Sequence, residues 1–205
     1  MSWFCLFSAF VSPGFKQALP HSVSKPFMKI SIQQDWLGRY KFFTGGSETH
    51  SFFGANVSRI FKRNYASIHV AEGETVMILR HGTYSPWKLS ESHYLIDDYR
   101  SGRTIEVKCV NYKGGHWFVG TGDETYDIYY HGRCRKSLYR NGEQVAKFGS
   151  MKSQHFIVAN NDEDELLLIA LFMVFRMGDS APDDDLILDL CEDAKEENVK
   201  WHPVK

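Results

Sequence analysis

Ten consecutive apolar residues, Leu166 to Phe175, follow Asp162-Glu163-Asp164-Glu165 and run into Arg176, Met177 and Gly178. Acids suit the positive end of a helix dipole and a base suits its negative end. Asp162 and Glu165 have the spacing of a capping box, and Gly178 is a natural stop. The pattern predicts a helix over about residues 162–177, roughly 20 Å long at about 1.5 Å per residue. Because its apolar run covers every face, the helix must be enclosed rather than laid on a surface. It falls short of the roughly 20 apolar residues that cross a bilayer, so no transmembrane span is expected and the enclosing sheath must be protein.

The rest of the chain supplies such a sheath. Between Ile30 and Val158, short alternating or apolar runs are separated by turn signals about every ten residues, as antiparallel strands require. The turns are marked by Gly45-Gly46, Glu72-Gly73, His81-Gly82, Ser101-Gly102, Gly114-Gly115, His131-Gly132 and Asn141-Gly142. Runs between them include Thr75–Leu79, Thr83–Leu89, Ser92–Ile96, Thr104–Val110, Trp117–Thr121 and Thr125–Tyr130. Alternation assigns Ile105, Val107 and Cys109 to one buried face, and Tyr126, Ile128 and Tyr130 to another. Many strands in one flat sheet expose edges, so closure or a sandwich is needed, and a closed barrel is the one that offers the helix a lumen. A mainly β fold is therefore expected, a closed antiparallel barrel of about ten to twelve strands around the C-terminal hydrophobic helix.

The barrel domain is expected to span residues 28–178. Residues 1–27 contain the apolar run Trp3 to Val11 and three prolines, with no charge before Lys16. A secretory signal wants a basic start and a mitochondrial one wants arginines, so a flexible extension is the expectation. Residues 179–205 form an acidic tail beginning at Asp183-Asp184-Asp185. Counted from Asp183, the positions that should be Gly and Glu in a calcium loop are Leu188 and Ala194, so the tail does not spell one.

The order of parts resembles the superfamily that unites LURP-one-related proteins, the tubby C-terminal domain and phospholipid scramblases. The resemblance rests on Gly120-Thr121-Gly122 leading to Tyr126-Asp127-Ile128, on the hairpin Asn141-Gly142-Glu143-Gln144-Val145-Ala146, and on the run Asp162 to Phe175. It implies a twelve-stranded barrel wrapped around a buried helix. It also implies a non-enzymatic module that binds phosphoinositide or another anionic phospholipid headgroup.

Chemical signatures are sparse. The sequence has no Gly-x-Ser-x-Gly elbow, His-Glu-x-x-His helix or phosphate-cradling Gly-rich loop, and no cofactor is expected. None of the nine histidines stands two or four residues from another, and the four cysteines are scattered, so no metal site is expected. With 24 basic against 25 acidic residues the formal charge is -1, which argues against nucleic acid as partner. Local clusters carry more information. Arg59, Lys62 and Arg63 form one; Arg133, Arg135, Lys136 and Arg140 form another, interleaved with Tyr129, Tyr130 and Tyr139. Arginine forks grip phosphate oxygens, so Arg133, Arg135 and Lys136 are the candidate ligands for an anionic headgroup. The expected location is cytoplasmic, peripheral to a membrane. Two rival readings are a protein-interaction scaffold whose acidic tail meets a basic partner, and an enzyme using the barrel rim.

Overall fold

The computed structural model of the protein describes residues 27–57, 65–83, 93–111, 115–130, 135–151 and 154–178. The N-terminal extension and the acidic tail lie outside the described residues, except that Phe27 begins the first strand. The first six strands are β1 (Phe27–Gln34), β2 (Tyr40–Thr44), β3 (Phe52–Val57), β4 (Tyr65–Val70), β5 (Thr75–Thr83) and β6 (His93–Asp98). They are followed by β7 (Arg103–Asn111), β8 (His116–Gly120), β9 (Thr125–Tyr130), β10 (Lys136–Arg140), β11 (Glu143–Met151) and β12 (Gln154–Asn160). One helix, α1 (Glu165–Gly178), completes the described elements. Each strand pairs antiparallel with the next, and β1 pairs with β12, so the twelve-stranded barrel is closed. Closure leaves no edge strand open to another chain.

Alternation builds the inner face. Val107, Val119, Ile128 and Leu138 are fully buried, with polar or half-exposed residues between them. Ile105 and Tyr126 are also buried, while Cys109 and Tyr130 pack against the core from its margin. Both expected core faces are therefore present. The turn at Asn141-Gly142 has positive φ at both positions, 54° and 80°, the hairpin geometry that an Asn-Gly pair favours. His81-Gly82, in contrast, is not a turn. There β5 continues to Thr83, and the chain absorbs the glycine as an irregularity in its register with β6 between His81 and Thr83. Residues 84–89 of the strand expected after it, and the turn at His131-Gly132, lie outside the described residues.

The helix begins three residues later than its acidic prelude suggests. Asp164 is the cap: its Oδ1 accepts the amide hydrogens of Leu166 at 2.8 Å and Leu167 at 3.3 Å. The capping box expected from Asp162 and Glu165 does not form, because Asp162 accepts from Arg140 and Glu165 from the Thr44 hydroxyl. Every residue from Leu166 to Phe175 is at most 6% exposed, in one core cluster with the inner faces of the strands. Phe172 meets Tyr40 and Phe42 of β2 edge-on, with ring centroids 5.3 and 5.8 Å apart. Phe175 meets Trp117 of β8, Tyr130 of β9 and Phe148 of β11 in the same way. None of the described helices is long and apolar enough to cross a membrane.

At β3 a glycine faces the helix. A Cβ on Gly54 would lie 2.7 Å from Met173 Sδ and 3.0 Å from its Cε. Met is a flexible filler and can yield to one methyl group, but not to a branched side chain without displacing the helix. Gly54→Val is expected to destabilise the protein by about 1–3 kcal/mol, despite the better strand propensity of Val. Chemical denaturation measures this, and a variant as stable as the parent would show that the helix is free to shift at β3.

Candidate functional site

An up-and-down barrel has two ends, and chain order assigns every connection to one or the other. At the end where α1 starts lie the turns 45–51, 71–74, 99–102, 121–124 and 141–142 and the segment 161–164. These carry Glu48, Glu72, Glu74, Asp123, Glu124 and Asp162-Glu163-Asp164, against one base, Arg100. At the other end α1 finishes, beside the turn 35–39 and the first residues of β2, β8 and β10.

The acidic end holds an open cleft of about 380 Å³ between Asp98, Arg103, Tyr126, Asp164 and Leu167. Its charges are engaged with one another. Asp98 accepts from the Arg100 amide at 3.0 Å and the Ser101 hydroxyl at 2.8 Å, and Arg103 pairs with Asp123. Arg140 is the hub: its guanidinium lies 2.8 Å from Asp162, 3.0 Å from Glu163 and 3.4 Å from Glu124. The Glu163 side chain is only 1% exposed. Burial raises its pKa above the ordinary carboxyl value, and Arg140 pulls it back only in part. Tyr126 donates to Glu124 at 2.7 Å; burial, then that hydrogen bond, raise the phenol above its ordinary value. Arg140 is therefore committed to the acidic end and separated from the other bases of its run.

At the opposite end stand two of the candidate ligands, Arg135 and Lys136. Lys136 is 7% exposed, with Nζ 4.5 Å from the Tyr130 ring centroid and 4.9 Å from that of Phe175. Strand alternation explains this. Leu138 is fully buried on the inner face, so Lys136, two residues earlier, shares that face. Arg135 precedes β10 and is half-exposed. Arg133 lies outside the described residues, as do Arg59, Lys62 and Arg63. Of the three candidates, the described residues therefore place Lys136 on the inner face and Arg135 just before β10.

Lys136 shares a cavity of about 10 Å³ with His155, Phe172, Phe175 and Arg176. That holds about one water and no headgroup. Arg176 donates from Nε to the Tyr40 hydroxyl at 2.9 Å and lies 5.7 Å over the same ring. Both cations sit near the carboxyl end of α1, where positive charge is favoured. Toward this end an open cleft of about 190 Å³ also lies between β1 and β12, lined by Lys29, Ser31, Gln33, Gln154 and His155.

Among the described residues, one cysteine and several histidines carry groups able to do covalent chemistry. Burial pushes the Cys109 thiol up to about 11, which keeps it protonated at neutral pH. Cys5, Cys134 and Cys191 lie outside the described residues. His69 is held by Ser67 at 2.8 Å and Thr75 at 3.1 Å, and His116 by Asp127 at 2.7 Å while stacked on Tyr129. His93 pairs with Glu106 at 2.8 Å. Among the described residues no three His, Cys, Asp or Glu side chains converge as metal ligands would.

One feature of the basic end is absent from the expectations above. The turn between β1 and β2 is tied by Asp35, whose Oδ1 accepts the amide hydrogens of Leu37 and Arg39, both at 2.9 Å. The Gly38 amide bonds to the Asp35 carbonyl at 2.9 Å, closing a β-turn with Asp first and Gly fourth. Trp36 and Leu37 form its tip, 90% and 54% exposed. The spacing Asp35…Gly38 spells the turn, and the apolar pair inside it was the readable signal. Comparison of the chain with protein-family models and with curated proteins finds no match.

Proposed function

We propose that the protein is a non-enzymatic module that binds anionic phospholipid headgroups, acting in the cytoplasm at the periphery of a membrane. The observation that carries this reading is the division of charge between the barrel ends. The α1-start end is acidic, whereas Arg39, Lys41, Arg135, Lys136 and Arg176 belong to the α1-finish end with Asp35 among them. The segments 58–64, 84–92, 112–114, 131–134 and 152–153, with seven bases and one acid in sequence, and residues 179–205, with nine acids and three bases, lie outside the described residues. Among the described residues, charge divided in this way suits an anionic surface at the α1-finish end. The reading includes α1 lying along the barrel axis; its contacts with β2, β3, β8, β9 and β11 support that position. The resemblance to lipid-associated barrels supports it from the sequence side.

In this proposal Arg133 and Arg135 meet headgroups at the rim, and Lys136 contributes charge from beneath. Each base near an anionic surface contributes about 1 kcal/mol, so Arg133→Gln/Arg135→Gln is expected to weaken binding roughly thirtyfold at low salt. Salt above about 0.5 M should have a similar effect on the parent, because screening then acts within a few ångströms. Sedimentation of the full chain with phosphatidylcholine vesicles, with and without phosphatidylserine or phosphoinositide, measures both. A parent that never pellets with anionic vesicles would sink the proposal. It would favour the scaffold reading, for which the carboxylates of the acidic end are the supporting observation.

A further inference from the structure

We infer that the Asp35–Arg39 turn is an interfacial membrane anchor, with Trp36 and Leu37 entering the boundary between headgroups and acyl chains of an anionic bilayer. This rests on the anionic-surface reading and adds the part of the molecule that penetrates. A single exposed apolar side chain is ordinary. This tip differs in being a neighbouring pair held outward by a built support. The Asp35 carboxylate takes the Leu37 and Arg39 amides through one oxygen and the Arg39 guanidinium, at 2.9 Å, through the other. Desolvation pushes that carboxyl up, but the Arg39 amide and guanidinium outweigh it, so Asp35 stays ionised and the turn stays tied at neutral pH. The Asp35 amide also donates to the Arg39 carbonyl at 2.8 Å. Side chains presented this way lose little conformational freedom on insertion.

The occupant follows from area and charge. A stable protein partner needs about 800 Å² from each side, far more than two side chains offer, whereas a bilayer closes around whatever enters it. An indole combines a large apolar body with one N–H donor and suits the headgroup boundary. The tip stands at the barrel end that carries Arg135, Lys136 and Arg176, with Lys41 two residues behind the turn. An anionic surface that attracts this end therefore brings Trp36 and Leu37 toward the membrane.

The test uses the full chain and vesicles of phosphatidylcholine with phosphatidylserine. Trp36→Ala/Leu37→Ala is expected to weaken partitioning about thirtyfold, from the loss of partial burial of two large apolar groups, while the melting curve is unchanged because both are exposed. Trp36 emission, taken as the difference between the parent and Trp36→Phe, is expected to be quenched by lipids brominated near the top of the acyl chain. Equal pelleting of the double variant and the parent, or loss of pelleting without quenching, overturns the anchor. In the first case the anionic-surface reading still stands. If the parent fails to pellet with these vesicles, both fall together.

Discussion

Leu168→Asp is expected to abolish cooperative unfolding altogether. Leu168 is fully buried, as are Ile169, Ala170 and Leu171 beside it, and the core cluster around them is apolar. An aspartate there has two options, to ionise without a partner or to stay protonated with its polar atoms unsatisfied. Either costs several kcal/mol, against a whole-domain stability of about 5–15 kcal/mol. The lost leucine contacts add to that. Leu168→Ala separates the two effects, since it removes only packing and is expected to cost about 2–5 kcal/mol with the transition preserved. Circular dichroism and thermal melting of both variants are the measurement. A soluble, cooperatively melting Leu168→Asp protein would show that α1 is not enclosed by the barrel.

The helix and the barrel were legible because each is written redundantly. Acids, ten apolar residues and a base leave one reading for residues 162–178, and glycine-bearing turns recur between alternating runs along the strands. The exact cap was not legible, because Asp162 and Asp164 are the same residue type two positions apart. Arg140, from a hairpin 22 residues away, takes Asp162 and leaves Asp164 to the helix. The candidate site was less legible for a related reason. Density of positive charge says nothing about which face carries it. Alternation from Leu138 already assigns Lys136 to the inner face, but Arg140 is withdrawn by carboxylates that the pairing of β9 to β12 brings near. The turn at Asp35 and the apolar pair within it are spelled locally, whereas the exposure of Trp36 is a tertiary property set by which elements pack beside it.

Arg140→Met is the substitution for which pH should decide the outcome. In the parent, Arg140 faces Asp162, Glu163 and Glu124, and Tyr126 lies beside Glu124. Removing the guanidinium strips the buried Glu163 of its positive neighbour, and breaking such a pair typically costs about 3 kcal/mol or more at neutral pH. Linkage fixes the sign of the pH dependence. The folded-state pKa of Glu163 is raised above the ordinary value of 4.5 by burial, and loss of Arg140 raises it further. Well below 4.5 both folded and unfolded chains are protonated at this position, and the variant's deficit from Glu163 disappears. As pH rises through the window between 4.5 and the raised folded value, the unfolded chain ionises first, and stability is lost until the folded group ionises too. The gap between Arg140→Met and the parent should therefore be large at pH 7 and narrow toward about pH 4. Glu163→Gln, added to Arg140→Met, removes the buried charge and should recover most of the loss at pH 7 with little effect at about pH 4. Urea unfolding of the parent and both variants across this range is the measurement. A gap that is constant with pH, or a Gln substitution that recovers nothing, would assign the role of Arg140 to the exposed pairs with Asp162 and Glu124 instead.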